Sequence, residues 1–245
     1  MKKISTLIAL VCIVISIQSC KKEKDTNPVP TPPKKECRIT AITVGGNTSS
    51  FSYNNDKKVS QIITSGTPEE TKTFTYNGNT INIITKSGTT VDGKSVLTTN
   101  DEGKISRLEQ RDLITDTVTY STNFEYSSNG ELLKATHNSG SASPNIVNYA
   151  YSNGNLMSFS NSGDVTTYEY YPNQDFRIGD YNYIAQALQF GNAFFIVNKN
   201  LVKSADNGSD ITNYNYTFDE DNNITKVEIV KGSNILTVNV QQRCE

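Results

Sequence analysis

The chain has 245 residues, 20% of them charged, with a formal net charge of −2, one histidine and no tryptophan. So even a balance, with both signs interspersed, argues against a nucleic-acid partner and against a basic face lying on a membrane. A single histidine excludes metal clusters built on several imidazoles and leaves only one candidate base for nucleophilic catalysis.

Residues 1–19 read as a signal peptide. Lys2 and Lys3 precede an apolar stretch from Ile4 to Ile17, and the segment ends in Ile17-Gln18-Ser19-Cys20. The stretch is short for a membrane span. An aliphatic residue three before a cysteine and a small one directly before it are what acylation and cleavage require, so Cys20 is the expected lipidated N-terminus of the mature chain. The competing reading is a plain secretory signal cut near Ser19, but no Ala-x-Ala site lies nearby. Loss of Lys2 and Lys3 takes the formal charge from −2 to −4. Residues 20–36 are charged and Pro-rich, as in Asn27-Pro28-Val29-Pro30-Thr31-Pro32-Pro33, and read as an extended tether. Lys21-Lys22-Glu23-Lys24-Asp25 is mixed in charge, which favours neither face of the outer membrane.

From Cys37 to Glu245 the chain is long enough for one all-β domain with a sizeable core. Of the four cysteines, Cys12 leaves with the signal and Cys20 is acylated, so Cys37 and Cys244 remain at the two ends of the domain. In an oxidising compartment they are expected to pair, and the alternative is two free thiols.

A hairpin unit recurs through this domain: an aromatic-x-aromatic strand, a turn rich in Asn and Gly, an aliphatic strand and a Ser-Gly turn. Phe51-Ser52-Tyr53, Phe74-Thr75-Tyr76, Phe124-Glu125-Tyr126 and Tyr149-Ala150-Tyr151 open four copies. Asn77-Gly78, Asn129-Gly130 and Asn153-Gly154 mark turns that need positive φ. A degenerate copy lies near Leu97 with its turn at Asn100 to Gly103, Val118-Thr119-Tyr120 adds a strand, and Tyr168-Glu169-Tyr170 opens a copy that does not complete. Asp180 can cap a helix over residues 181–190, with Tyr183, Ile184, Ala187 and Leu188 on one face and Gly191 as its stop. That helix, with Phe194, Phe195 and Ile196 after it, reads as a plug. Tyr214-Asn215-Tyr216-Thr217-Phe218 opens the last copy, and Leu236, Val238 and Val240 share one face of a closing strand. Short turns join neighbours antiparallel, so the spacing predicts a meander of about twelve to fourteen strands, which must curl strongly or form a partly open barrel.

The aromatic hairpins, the helix over 181–190 and the segment Asn198-Lys199-Asn200-Leu201 together resemble the uncharacterised Bacteroidetes-type lipoproteins of a domain-of-unknown-function family described as having a porin-like fold. The resemblance covers most of the chain after Cys37. It implies a fold and brings no activity, while the expected lipid on Cys20 puts the chain in the cell envelope, anchored at the outer membrane. The hairpins are also similar to the Tyr-Asp repeats of secreted shells, as in Tyr126-Ser127-Ser128-Asn129-Gly130-Glu131-Leu132, with Glu131 where arginine is usual and too few copies to build a shell. A porin-like shape does not make a pore. Strands such as Thr115 to Tyr120 are too polar and short for a lipid-facing band.

For chemistry, Tyr53, Tyr76, Tyr126, Tyr151, Tyr170 and Tyr216 recur at one place in each unit, and such a ladder can stack on sugar rings or, more plainly, fill the core with hydroxyls at its rim. Asp219, Asp221 and Asn223 could offer oxygens to calcium, but the glycine and distal glutamate of a full loop are missing, so no metal is expected. His137 falls at an expected turn, and Glu69-Glu70 and Asp101-Glu102 are turn neighbours that face no cleft. No phosphate or dinucleotide motif appears, so no cofactor and no enzymatic activity are expected. The expectation is a lipoprotein that binds a ligand or glycan without catalysis. The alternative is a structural or assembly-assisting lipoprotein that takes other envelope proteins as partners through exposed strand edges.

Overall fold

A computed structural model describes residues 36–245. The expectations for the signal peptide, Cys20 and the tether up to residue 35 lie outside the described residues. Within them, sixteen strands follow one another: β1 (Cys37–Val44), β2 (Asn47–Tyr53), β3 (Val59–Thr64), β4 (Glu70–Asn77), β5 (Thr80–Ser87), β6 (Thr90–Thr99), β7 (Ile105–Arg111) and β8 (Val118–Tyr126). The series continues with β9 (Leu132–Ser139), β10 (Asn145–Ser152), β11 (Asn155–Asn161), β12 (Asp164–Asp175), the helix α1 (Tyr181–Phe190), β13 (Asn200–Asp206), β14 (Ile211–Phe218), β15 (Ile224–Lys231) and β16 (Asn234–Cys244).

Short connections leave each strand no partner but its chain neighbours, so every pairing is antiparallel and the sheet runs in sequence order. A sheet this wide curls until its ends meet. β1 pairs with β16, with Cys37 opposite Cys244, and the barrel closes. The disulfide between those two cysteines lies on this seam. The spacing of the repeat undercounts the strands because β1 and β13 carry no aromatic pair, even though Val118-Thr119-Tyr120, expected to add a strand, is only the first part of β8.

Up-and-down topology places both kinds of end consistently. The start of every odd strand and the finish of every even strand lie at one end of the barrel, together with α1 and the disulfide. The Ser-Gly turns, such as those after Ser87 and Ser139, lie at the other. We call these the plug end and the mouth.

Alternation along the strands sorts the wall into two faces. Phe51, Phe74, Ile83, Tyr214, Val227, Val238 and Val240 are buried inside. The residues between them, such as Ser50, Ser52, Thr73, Thr75, Asn213 and Asn215, are exposed. The outer face also carries apolar residues, with Ile146, Val165, Ile211 and Ile235 exposed at the mouth ends of their strands.

Helix α1 crosses the interior at the plug end. Its C-terminal stop, Gly191, has φ of 65° and sits so close to Phe74 and Val59 that a Cβ there would lie 3.2 Å from each, so glycine is required for both conformation and space. On the opposite wall Tyr181 stacks on Tyr214 with ring centroids 4.4 Å apart. The expected plug is therefore the floor of the barrel, and the apolar core gathers around it. Toward the mouth, inward positions become polar or open: Leu236, paired with Ile229 on the inner face, is 44% exposed.

Candidate functional site

Two sets of aromatic side chains line the inside, and they differ in what their polar atoms do. The first is the ladder of Tyr53, Tyr76, Tyr126, Tyr151, Tyr170 and Tyr216, one near the plug-end finish of each aromatic strand. Tyr53 donates to the Ile39 carbonyl at 2.6 Å, Tyr76 to Val59 at 2.8 Å, Tyr126 to Ile105 at 2.6 Å and Tyr170 to Leu156 at 2.5 Å. Each accepting carbonyl belongs to the first buried apolar residue of the strand before, so each hydroxyl stitches an aromatic strand to its aliphatic predecessor. Tyr151 faces the Leu132 carbonyl in the same manner without reaching hydrogen-bond geometry.

Where tyrosine is missing, another side chain makes the stitch. Thr99 donates to Asn79 at 3.2 Å, and Gln242 donates to Ile224 at 2.9 Å. Burial pushes the Tyr53 and Tyr76 hydroxyls up to about 12, so they stay protonated donors.

Tyr216 departs from the rule because the helix precedes its strand pair. Its hydroxyl donates to Asp180 Oδ2 at 3.1 Å. Asp180 is fully buried, caps α1 by accepting from Asn182 N–H at 2.9 Å, and accepts from Val202 N–H at 3.2 Å. Burial raises its carboxyl pKa against the pull of these donors. One carboxylate thus joins the helix start, β13 and β14. Sequence reading found it only as a cap.

The segment Asn198-Lys199-Asn200-Leu201 has an equally structural task. Asn155 Oδ1 accepts from the backbone N–H of Lys199 and Asn200, Asn155 Nδ2 donates to Asn200 Oδ1, and Asn198 Oδ1 accepts from Leu156 N–H. This knot returns the chain from the plug into the sheet. Gln186 locks the plug itself, donating to Ile196 O and accepting from the N–H groups of Phe195 and Ile196.

The calcium candidates sit in a turn that the rest of the barrel explains. Asp219 Oδ1 accepts from Asn223 N–H at 2.7 Å and Oδ2 from Asn223 Nδ2 at 3.0 Å, with Asn222 at φ of 64°. The same five-residue loop occurs at Asn54 to Lys58, Asn100 to Lys104 and Ser127 to Glu131, where Asn54, Asn100 and Ser127 accept the equivalent bonds. The position needs a short acceptor, and a charge on it is incidental. Asp221 meets Asp219 through its backbone N–H, which donates to the Asp219 carboxylate, and no group of three potential metal ligands occurs among the described residues.

The second aromatic set is on the inner wall of β8 to β12, nearer the mouth. Tyr149, Phe159 and Tyr168 form a run with centroid spacings of 6.1 and 6.2 Å, each pair tilted by about 40°. Tyr120 stacks on His137 at 6.0 Å. His137 is not at a turn. It lies within β9 on the inner face, and its Nδ1 is 2.7 Å from the Tyr120 hydroxyl and 2.9 Å from that of Thr122. Burial holds its pKa below the usual imidazole value. The hydroxyls of Tyr149 and Tyr168 have no hydrogen-bond partner among the described residues, and burial pushes both up to about 12.

Beside this run and toward the mouth, register places Asn145 opposite His137, and Asn161 opposite both Val147 and Asp164, on the same face. The sequence signal for this wall was available. The first aromatic of the pair is phenylalanine in β2, β4 and β8 and becomes tyrosine in β10, β12 and β14.

No family model matches the chain, and no curated protein does. Among solved structures it is similar to the crystal structure of a porin-like protein from Bacteroides uniformis, with a TM-score of 0.63 over 87% of this chain and 99% of that chain at 16% identity. The likeness is one of fold, and it agrees with the barrel: this chain is an all-β protein of porin-like architecture, a closed meander of sixteen strands with one helix inside.

Proposed function

We propose that this chain is a cell-envelope lipoprotein, anchored to the outer membrane through Cys20, whose barrel is a non-catalytic binding cup. The observation that carries the reading is polarity of ends. The chain enters the barrel at Cys37, at the end that α1 floors, and the inner face opens at the opposite end. Attached at Cys37, the barrel would carry its mouth at the end opposite its attachment. The exposed Ser, Thr and Asn of the outer wall support a barrel standing in water. The alternative role, gathering other envelope proteins by strand addition, finds less support, since closure leaves no free edge among the described strands.

Two measurements test this. Mass spectrometry of the mature protein should find acylated Cys20, and an unmodified start elsewhere would end the lipoprotein reading. A thermal-shift screen of the mature chain carrying Cys20→Ser, against glycans, peptidoglycan fragments and peptides, should find a stabilising class. A ligand at a hundred times its dissociation constant stabilises the folded state by roughly 2.7 kcal/mol. No shift with any class would remove the cup reading.

A further inference from the structure

We infer that the inner wall of β10 to β12, built on Tyr149, Phe159 and Tyr168, is a binding site for a neutral oligosaccharide, with Asn161 and Asp164 as its polar contacts. This rests on the cup reading and assigns its ligand class and its residues.

The wall has the two properties a pyranose demands. A sugar ring presents an apolar face of C–H groups and an equatorial edge of hydroxyls, so its receptor needs an aromatic surface flanked by fixed donors and acceptors. Phe159 lies between Tyr149 and Tyr168 at 6.1 and 6.2 Å, and successive tilts of 39° and 40° bend the three rings into a continuous strip. The three rings thus succeed one another on the neighbouring strands β10, β11 and β12 of the inner wall. The two flanking rings carry hydroxyls that have no partner among the described residues, whereas Tyr53, Tyr76, Tyr126 and Tyr170 all have theirs engaged.

The edge contacts follow from register. Asn161 is two residues beyond Phe159 on the same face and pairs with Asp164 across the hairpin. Ser162 Oγ lies 3.1 Å from Asn161 Oδ1 and 3.4 Å from Asn145 Oδ1 and donates its one proton to either, while the Asn161 N–H groups have no partner among the described residues. Asp164 adds an acceptor for a pair of neighbouring hydroxyls. No lysine or arginine belongs to this set, so an anionic sugar or a phosphate would meet a carboxylate and no cation. A neutral glycan fits the charge.

The test is isothermal titration of the mature chain carrying Cys20→Ser with neutral oligosaccharides of the gluco, manno, xylo and N-acetylated chito series. At least one series should bind. Phe159→Ala and Tyr168→Ala should each weaken it about tenfold or more, the usual loss when a central aromatic contact is removed. Asn161→Ala should weaken it without altering the melting temperature.

Tyr76→Phe, at the plug end, should bind like the unaltered chain. Tyr149→Phe keeps the ring and the fold, so a loss of binding in it would locate the contact at the hydroxyl even if the alanine variants fail to fold. Binding that survives in all the wall variants would overturn the site while leaving the cup. Binding only of peptides or charged peptidoglycan fragments would overturn the ligand class. Silence toward every class would remove the cup reading itself.

Discussion

The two ends of this barrel are made from the same repeated strand and put it to opposite uses. At the plug end the second aromatic of four pairs, Tyr53, Tyr76, Tyr126 and Tyr170, turns its hydroxyl onto a neighbouring backbone carbonyl, Tyr216 turns its own onto Asp180, and Gln186 and the Asn155-Asn198-Asn200 knot tie the plug to the sheet. On the wall of β10 to β12, the hydroxyls of Tyr149 and Tyr168, each the first aromatic of its pair, bond to no protein group among the described residues. A phenylalanine at that position, as in Phe51 and Phe74, is buried core. The added oxygen does not act alone: Tyr214, at the same place in β14, is buried against Tyr181 of the plug, whereas Tyr149 and Tyr168 are half-buried with no protein partner for theirs.

If the plug end holds the fold together, the largest loss should follow from opening the seam there. The Cys37–Cys244 bond spans 207 residues of sequence. On the chain-entropy model, closing a loop of this size removes about 5 kcal/mol of denatured-state freedom. Reduction, or the double change Cys37→Ser and Cys244→Ser, should lower the urea midpoint by a corresponding margin. An unchanged midpoint would mean that the hydrogen bonds of the β1–β16 pairing hold the seam without help.

Next in size is Asp180. Replacing it with alanine strips the helix cap and leaves the Val202 N–H and the Tyr216 hydroxyl without their buried acceptor, which should destabilise the protein by about 3 kcal/mol. Asp180→Asn keeps one acceptor and removes a buried charge, and should lose much less. Equal losses in the two variants would show that the charge, and not the bonds it accepts, is what the floor depends on.

The comparison is sharpest in a pair of single-atom changes. Tyr76→Phe deletes the bond to Val59 O and should lower stability by about 1 kcal/mol. Tyr149→Phe deletes a hydroxyl with no protein partner and should stay within about 0.5 kcal/mol of the parent. Chemical denaturation of both variants decides it, and equal effects would erase the distinction between ladder and wall.

How much of this was legible in the sequence follows from which interactions are local. The hairpins, α1 and the capping role of Asp180 depend on residues within a few positions of one another, and the repeat exposed them. Cysteine bookkeeping alone brought Cys37 and Cys244 together. Closure was less visible, because β1 and β13 lack the aromatic pair and because the meeting of β1 with β16 depends on strand number and curl instead of on any motif. The site was harder still. A ladder of tyrosines stands out by repetition, yet repetition here reports a repeated backbone bond. The wall is marked by departures from the repeat at Tyr149 and Tyr168, and His137 looked like a turn residue because β9 runs on to Ser139 before its Ser-Gly turn.

The smallest expected effect comes from that histidine and tests whether the wall is packed or solvated. Burial holds the His137 pKa below its usual value of 6.5 in the folded protein. At a pH between the folded and unfolded values, the unfolded chain binds a proton that the folded chain does not, so acidification favours unfolding. The stability that His137 contributes is complete above the unfolded pKa and is lost as pH falls through the folded one. Asp180 works the other way, since its raised pKa means that protonation favours the folded state. Melting temperatures of the parent and of His137→Gln, compared at about pH 7.5 and about pH 5.5, separate the two, because the variant keeps Asp180 and loses only the imidazole. The parent should lose more stability on acidification than the variant does. Identical losses would mean that His137 titrates in the folded barrel as it does in the open chain, as expected of a wall that water reaches freely, with the bonds to Tyr120 and Thr122 adding nothing to hold the ring neutral.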